Sequence, residues 1–508
     1  MEPGFRASMN WLHTWAGVVI GALLFAIFWM GTLSVFDREI DRWMMPMTRI
    51  VAPDTAPSLE SLRSVIEPMS DGGGQWWVMM PTDREPTIRA SYSKDGVNNR
   101  IQLDPSSGAI LPKNDSLGGT RFIYPFHYSL HIKLANIGRW LVGLAAMGML
   151  ALIVTGVIIH VKIFKDFFTL RTDKKAPRIA LDLHNVTGVL GLPFHFLITL
   201  SGLIIFMTVY FPSAWEVTFP DRKAYFNEAF GQYSRPKADQ PGKVGSLDSM
   251  ATQARHIWEG GEPYFIRIWH PNDANAYVEM RRGFQDAVTM NRDTVYFDGS
   301  TGAILSQSTA KPVLSVQRFI SGMHYIQFRH WTLRWVYFAL GLSGCVMTGT
   351  GFLFWLESRR KRHAQQKLAG VRVVEGLAIG STTGIILATL AFFVANRLLP
   401  AGIEDRASLE VWAFCIVWIA GFLHAWLRRG KAWADQAWAI AGAGLLAVVL
   451  NALTTGDHLI RTVSSGLWSV AGMDLVLLAG AVIAGLSAWR LSRKAALAKT
   501  LPGSAQHA

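Results

Sequence analysis

Histidines are the residues of this chain whose type and placement best suit chemistry. The chain has 14 of them, and most lie within or beside four of the apolar segments described below. We predict two groups at opposite membrane faces, with one member of the second group inside an apolar segment. The predicted inner group is His13, His160 and His184. The predicted outer group is His127, His131, His195 and His324.

Two groups of imidazoles at opposite faces of a helical bundle suit haem b with bis-histidine ligation. Haem is a large apolar disc that a four-helix core can bury, and a neutral imidazole brings no charge into hydrocarbon. No thiolate ligand set competes, because the only cysteines are Cys345 and Cys415, each inside an apolar run. We therefore expect two haem b groups, which would divide one long electron transfer across the bilayer into shorter steps.

The pairing of these ligands is open. The internal repeat described below relates two pairs, His13 with His184 and His127 with His324. A crossed arrangement that uses three further residues is equally allowed, namely His131, His160 and His195.

The spacing within the third apolar segment favours a shared helix. His184 and His195 are eleven residues apart, which is close to three helical turns and about 16 Å of rise. One helix would then present both side chains in one direction at two depths. The alternative for His195 is a structural histidine that hydrogen-bonds the carbonyl freed by a kink at Pro193.

Eight apolar segments could hold these histidines in a membrane, because a span needs roughly 20 residues. Half of the 508 residues are hydrophobic, so a polytopic α-helical membrane protein is expected. The first four spans, TM1 to TM4, are residues 1–36, 139–160, 184–210 and 334–356. Four more form an appended module at 373–490, where Asp474 is an isolated acid that could be a proton site or a helix contact.

Basic residues predict the orientation. They cluster in the loop 161–183, which includes Lys162 and Lys165, in Arg359–Arg362, near Arg428 and in the tail 491–508. All these segments fall on one side, which the positive-inside rule makes cytoplasmic. We therefore place the chain in a bacterial inner membrane with both termini inside. The clusters also account for the net charge of +13 without a nucleic acid partner.

Two long connections, 37–138 and 211–333, then lie in the periplasm, and each is predicted to be an α+β domain. They contain similar turns, Asp104-Pro-Ser-Ser-Gly-Ala-Ile-Leu111 and Asp298-Gly-Ser-Thr-Gly-Ala-Ile-Leu305. The likeness continues into the membrane. Its matching positions are Leu12-His13 and Leu183-His184, Gly31 and Gly202, and Thr155-Gly156 and Thr350-Gly351. Residues 1–160 and 180–360 are therefore predicted to be two copies of one unit.

This duplicated unit resembles the PepSY-associated transmembrane helix family, over roughly residues 8–360. That family includes iron-regulated inner-membrane proteins and siderophore-linked ferric reductases. The resemblance implies two periplasmic PepSY-like domains, haem in the four-helix core, and reduction of ferric siderophores in the periplasm for iron uptake. The four appended helices depart from the simplest members of the family.

No cytoplasmic segment carries a GxGxxG or P-loop pattern, so the chain has no flavin or nucleotide domain of its own. A membrane quinol or a separate cytoplasmic flavoprotein is the expected electron donor. Two other classes of function remain open. One is a non-redox protein whose outer domains bind a peptide or a protease, and the other is a transporter. Both would be colourless, whereas a haem protein would absorb visible light.

Overall fold

The computed structural model describes residues 3–500 except 52, 54, 56, 71–73, 114, 161–168, 291, 367, 368 and 429. Lys162 and Lys165 of the predicted cytoplasmic loop and residues 501–508 of the predicted tail therefore lie outside the described residues. The chain divides into two compact units. The first comprises Met1–Pro46, Asp115–Leu200 and Thr332–Ala508, and the second comprises Met47–Asn114 and Ser201–Trp331.

Helices dominate the described chain. In chain order they are α1 (Pro3–Ser34), α2 (Asp37–Met44), α3 (Leu59–Ile66), α4 (Tyr124–Ser129), α5 (Ile137–Ile159), α6 (Ala176–Leu190), α7 (Leu192–Ile205), α8 (Met207–Tyr210), α9 (Ser213–Glu216), α10 (Arg222–Phe230), α11 (Leu247–Ile257), α12 (Pro312–Tyr325), α13 (Trp331–Gln366), α14 (Ala369–Ile379), α15 (Ile385–Leu398), α16 (Arg406–Leu427), α17 (Ala432–Thr455), α18 (Leu459–Ser464) and α19 (Trp468–Thr500). Two π-helical segments, Gly119–Ile123 and Gly380–Gly384, lead directly into α4 and α15.

Seven spans of the described residues are long and apolar enough to cross a membrane. They are α1, α5 with its preceding turn, the first 30 residues of α13, α14 joined to α15 through the π segment, α16, α17 and most of α19. The bent pair α6 and α7 would be an eighth. The predicted polytopic membrane fold is confirmed.

The third predicted span, 184–210, is not one straight helix. The chain bends by 64° between α6 and α7, at Gly191 and just before Pro193. Proline lacks the N–H of a regular helical turn and its ring clashes with the preceding turn, so the helix axis breaks there. His184 and His195 therefore lie on different helices. The expectation that one straight helix presents both in one direction was wrong.

The predicted loop 161–183 is also shorter than expected, because α6 begins at Ala176. Pro177 lies in the first turn, where a missing N–H costs nothing. Asp182 is buried on this helix and forms ion pairs with Arg178 at 3.1 Å and Arg171 at 3.3 Å. His184 consequently lies in the third turn of a helix rather than at its start.

The second unit is built on one antiparallel sheet of seven strands. These are β1 (Trp76–Met79), β2 (Ile88–Lys94), β3 (Val97–Leu103), β4 (Pro263–Trp269), β5 (Tyr277–Arg282), β6 (Thr294–Asp298) and β7 (Ile304–Ser308). Their order is β3-β2-β1-β4-β5-β6-β7, so β1 of the first outer segment pairs with β4 of the second. The two segments that the sequence separates thus share one sheet. The pairing leaves neither β1 nor β4 as an open edge.

The core of this unit lies between one sheet face and the helices α3 and α11. Val78, Ile266 and Val278 alternate inward along their strands, as the two-residue strand period requires, and each is 0 to 1% exposed. Ser58 and Ser246 begin the two helices and accept hydrogen bonds from backbone N–H groups of the first turn. The repeated Ser-Leu-x-Ser sequences therefore encode equivalent capped helices.

The appended helices pack through small and aromatic residues placed four positions apart. Gly376 and Gly380 face α16, where a Cβ on either would collide with Trp426 or Phe422 respectively. Trp418 of the same stripe donates its Nε1–H to the carbonyl of Gly380 at 3.0 Å. Glycine on one helix therefore admits aromatic rings from the next, as is common in membrane bundles.

Charged residues buried in the first unit connect α2 and the appended helices. Glu410 is fully buried and pairs with Arg406 at 2.7 Å, while Ser116 donates to its other oxygen at 2.6 Å. Asp474 accepts a hydrogen bond from Trp43 Nε1 at 2.7 Å. Of the two readings of Asp474, the structure favours the helix contact, because its carboxylate ties α2 to α19.

Candidate functional site

His13 is held by α5, the second membrane helix of its own repeat. Its Nδ1 lies 3.1 Å from the carbonyl oxygen of Leu152 and 3.0 Å from Thr155 Oγ1. A carbonyl oxygen only accepts hydrogen bonds, so the contact with Leu152 requires the proton on Nδ1. The lone pair of the neutral imidazole is then on Nε2, where a metal could bind. Gly156 admits the ring, because a Cβ there would lie 3.3 Å from His13 Cε1.

His184 repeats this arrangement in the second copy. Its Nδ1 lies 2.8 Å from the carbonyl oxygen of Met347 on α13. A Cβ on Gly351 would lie 3.2 Å from the same nitrogen. Each carbonyl acceptor comes four residues before the glycine, and each glycine follows a threonine. The Thr-Gly pair that marks the sequence repeat therefore marks a place where a histidine ring packs against a helix backbone.

The rings of His13 and His184 lie next to each other within the first unit. Their centres are 6.2 Å apart and their planes make an angle of 82°. Among the described residues no group of three or more histidine, cysteine or acidic side chains could hold a metal ion. A metal bound by this pair would therefore have at most two protein ligands and would need further ligands from a larger group.

His127 lies on α4 and contacts α1 at the other end of that helix. Its Nδ1 is 2.9 Å from the carbonyl oxygen of Ile27, and a Cβ on Gly31 would lie 2.7 Å from the ring. Burial lowers the pKa of His127, which favours the neutral imidazole. Ile27 and Gly31 come 14 and 18 residues after His13, or roughly 21 to 27 Å along α1. The two histidine levels are therefore nearly a bilayer core apart.

His324, the repeat counterpart of His127, belongs to the second unit. It lies in the last turn of α12, with Nδ1 3.0 Å from Ser201 Oγ. A Cβ on Gly202 would lie 3.0 Å from its Cε1. All four repeat-related histidines thus rest on a glycine of a neighbouring helix and use Nδ1 for a hydrogen bond.

His195 differs from these four. Its ring is 1% exposed, and Nε2, rather than Nδ1, lies 3.3 Å from both the Leu340 carbonyl and Ser343 Oγ of α13. A Cβ on Gly191 would collide with this ring. These contacts favour a structural histidine that joins α7 to α13, although the acceptor is on α13 rather than at the Pro193 kink.

The remaining two candidates have less defined surroundings. His131 lies edge-on to Phe122 with ring centres 5.3 Å apart, and burial lowers its pKa. His160 follows α5, and its backbone N–H donates to the carbonyl of Gly156 at 3.1 Å. The Nδ1 atoms of both are buried and make no hydrogen bond with any described residue. Both remain candidate ligands.

The sequence did not reveal what orients these rings. The carbonyls of Leu152, Met347 and Ile27 carry no side-chain signal, because any residue supplies a carbonyl. The glycines were recognised as matching positions of the sequence repeat. Nothing in the sequence indicated that histidine rings pack against them. Buried charged residues also hold the appended helices in place. The sequence analysis singled out Asp474 among them, but not Arg406 or Glu410.

Comparison with known proteins agrees with this architecture. Residues 10–358 match the family model described as the PepSY-associated TM region. An uncharacterised protein of Pseudomonas aeruginosa is 27% identical over 394 residues, which cover 73% of this chain and 94% of that protein. The appended helices lie beyond the residues matched by the family model. The chain is therefore a membrane protein that belongs to the PepSY-associated TM region family.

Proposed function

We propose that this protein carries electrons across the bacterial inner membrane through two haem b groups and reduces ferric iron, such as ferric siderophores, in the periplasm. The observation that carries the proposal is the adjacent pair His13 and His184. His13 and His184 would hold the inner haem, since their imidazole rings lie with centres 6.2 Å apart and neutral imidazoles suit bis-histidine ligation.

The hydrogen bonds at Nδ1 support the same proposal. A histidine that binds a metal usually donates its other ring N–H to a carbonyl or a carboxylate, which fixes the ring and strengthens the donor nitrogen. His13 and His184 both meet a carbonyl in this way, at 3.1 Å and 2.8 Å. A histidine that only capped a helix end would not need its repeat mate opposite it.

The second haem would lie at the level of His127. Like the inner pair, His127 directs Nδ1 to a carbonyl and rests on a glycine. The sequence repeat predicts His324 as the other ligand, and His131 remains a candidate at this face, while His160 remains a candidate at the inner face. Haem b supplies a reversible one-electron couple of its iron when bound.

The chain's own residues hold the ligands in place and exclude water. The donor would be a membrane quinol or a cytoplasmic flavoprotein. Each electron delivered outside would convert one ferric ion to a ferrous ion, which the hard oxygen donors of a chelator hold less tightly. Orientation with both termini in the cytoplasm follows from the basic clusters of the sequence.

The direct test is the visible spectrum of the full chain purified from haem-replete cells. We expect a Soret band, and sharp α bands after reduction with dithionite. A colourless preparation that is folded and monodisperse would reject the proposal. It would favour the non-redox binding protein or the transporter.

A further inference from the structure

Helix α12 of the second unit exposes an apolar side. Its residues Val313, Val316 and Phe319 are 85%, 60% and 45% exposed. Residues three positions apart are neighbours on the surface of a helix, so these side chains form one continuous stripe, which we call the α12 stripe. A helix on a water-soluble domain turns its apolar side towards the core. Helix α12 has the reverse arrangement.

The opposite side of α12 is packed, and it carries polar and small residues. Arg318 is 3% exposed and forms an ion pair with Asp293 at 3.4 Å. Ser321 is also buried, and a Cβ on Gly322 would collide with the carbonyl oxygen of Val288. The helix is therefore anchored through its polar side, and the α12 stripe is left for a partner outside the chain.

The last turn of α12 is held against a membrane helix. His324 Nδ1 lies 3.0 Å from Ser201 Oγ, and a Cβ on Gly202 would lie 3.0 Å from His324 Cε1. Both contacts are near the end of α7, which belongs to the bent pair that would form the eighth span and ends at Ile205. Ser201 is four residues from that end, or about 6 Å along the helix. The last turn of α12 therefore lies at the boundary of the membrane rather than in the water beyond it.

The sequence repeat gives the α12 stripe a counterpart in the first copy. The pattern Arg-Phe-Ile-x-x-x-His-Tyr occurs in both copies, at residues 121–128 and 318–325, so Phe122 is the counterpart of Phe319. Phe122 is 1% exposed, and its ring centre lies 4.7 Å from that of Phe392 on α15. The appended helix α15 therefore covers in the first copy the position that is exposed in the second.

The contact between Phe122 and Phe392 also indicates the depth of this position in the membrane. Phe392 lies six residues before the end of its span at Leu398, or about 9 Å inside it. Repeats that run in the same direction are related by an axis along the membrane normal, which keeps equivalent residues at equal depth. Phe319 is therefore expected at the level of the acyl chains.

The first copy binds the appended helices through a polar group that the second copy lacks. Ser116 donates a hydrogen bond to Glu410 of α16 at 2.6 Å. The residue at the equivalent position, six before the phenylalanine, is Val313. The α12 stripe consequently offers a partner helix no hydrogen bond, whereas acyl chains need none. Lys311, which is exposed directly before α12, carries the charge that phosphate headgroups attract.

We propose that α12 is an interfacial membrane helix, which inserts its stripe among phospholipid acyl chains and places Lys311 at their phosphate groups. The helix is amphipathic, lies beside the end of a span and leads to His324, so lipid contact would fix the position of that histidine. The proposal goes beyond electron transfer, because it assigns lipid binding to a segment outside the eight spans and needs no haem.

Site-directed spin labelling of the full chain tests this proposal in nanodiscs of phosphatidylcholine and phosphatidylglycerol. A background of Cys345→Ala and Cys415→Ala leaves one thiol for the label in Val316→Cys or Phe319→Cys. Molecular oxygen concentrates among acyl chains, whereas the nickel complex NiEDDA stays in water. The frequency of collisions between the label and each reagent therefore reports what surrounds the α12 stripe.

Two positions of similar exposure serve as controls. Leu445 in the middle of α17 is 53% exposed, and Val97 on the edge strand β3 is 59% exposed. We expect Val316→Cys and Leu445→Cys to collide more often with oxygen than with NiEDDA, and Val97→Cys to show the opposite order. Each labelled protein should keep the melting temperature of the wild type. If Phe319→Cys does not fold, Val316→Cys decides the question.

Collisions with NiEDDA as frequent at Val316→Cys as at Val97→Cys would show that the stripe lies in water, and they would overturn the proposal. Infrequent collisions with both reagents would overturn it as well, because the stripe would then be covered by protein, such as a second copy of the chain. A colourless protein whose label at Val316→Cys meets oxygen would keep this lipid site, while the electron-transfer function would fail.

Discussion

The imidazole rings of His13 and His184 stand nearly perpendicular to each other, with their centres 6.2 Å apart. Each ring is fixed within its own repeat, His13 by α5 and His184 by α13. The duplication therefore brings together two copies of one histidine environment. A duplicated helix pair can in this way build a site that a single copy could not complete.

Replacing either inner histidine should remove one haem and leave the other. We expect His13→Ala and His184→Ala each to lose about half of the haem absorbance, because a single ligand holds the group weakly. The double variant should lose no more than either single variant. Pyridine haemochrome assays measure the haem content per protein.

His256→Ala is the matched control, since His256 lies on α11 in the second unit. It should keep the full haem content. Equal losses in this control and in His13→Ala would show that the assay reports general instability rather than ligation.

The glycines beside the inner rings should be intolerant of a methyl group. A Cβ at Gly156 or Gly351 would lie 3.3 Å or 3.2 Å from the facing ring, so each ring must shift and its bond to the carbonyl must lengthen. We expect Gly156→Ala and Gly351→Ala to lower haem affinity about tenfold, the smaller effect typical of a disturbed outer contact of a metal ligand. Transfer of haem to apomyoglobin measures this affinity.

Gly442→Ala provides the comparison, because a Cβ at Gly442 has no described neighbour within 4 Å. This variant should retain haem as the wild type does. Unchanged affinity in Gly156→Ala would contradict the packing described for His13.

Breaking the buried ion pair between Arg406 and Glu410 should lower the stability of the protein more than breaking an exposed ion pair. Arg406→Met leaves the buried Glu410 carboxylate without its ion-pair partner, although Ser116 and Asn396 still donate hydrogen bonds to it. The free energy of unfolding should therefore fall by about 3 kcal/mol, the low end of the range for a broken buried pair. Arg428→Met removes a pair with Asp435 from a side chain that is 53% exposed, and it should cost about 0–1 kcal/mol. Denaturant titration in detergent micelles compares the two. Similar losses would refute the importance of the buried pair.

Asp41 should make stability depend on pH. It accepts hydrogen bonds from Gly119 N and Thr120 Oγ1, and burial raises its pKa to about 7. Folding therefore favours the protonated carboxyl. This contribution is complete below the ordinary pKa of an aspartate, falls as the pH rises, and is lost above about 7. Asp37 and Arg38 also act on this group, with opposite signs.

Asp41→Asn removes the titration while it keeps an oxygen acceptor. Between about pH 5 and about pH 7 the melting temperature of the wild type should fall more than that of the variant. Parallel curves for the two proteins would show that Asp41 does not titrate in this range.

Local patterns predicted the membrane helices well, because apolar runs are properties of short segments. Pro193 gave a local signal for the bend in the third span, yet the size of the bend depends on how α6 and α7 pack. The pairing of β1 with β4 joins residues far apart in sequence, and neither strand carries a mark that identifies its partner. The shared sheet could therefore not be predicted.

The histidine pair was predictable for a different reason. The repeat relates His13 to His184 and gave this pair as one of the possible arrangements, and the structure places the two rings next to each other. His195 has no histidine counterpart in the first copy, and its contacts with Leu340 and Ser343 appear only when α7 and α13 are placed. The carbonyls that orient the histidine rings could not be predicted either, since every residue type has a backbone carbonyl.

Electron transfer from one side of a sealed membrane to the other is the activity proposed for this protein, and it can be measured with the purified chain. Proteoliposomes would hold a membrane-impermeant reductant inside and a quinone pool in the bilayer, with an impermeant ferric chelate and a ferrous indicator outside. We predict that the wild-type chain forms external ferrous iron well above the rate of protein-free liposomes, and that His13→Ala abolishes most of this rate while His256→Ala does not. A haem-loaded wild-type protein that gives no more ferrous iron than empty liposomes would show that the chain does not carry electrons across the membrane.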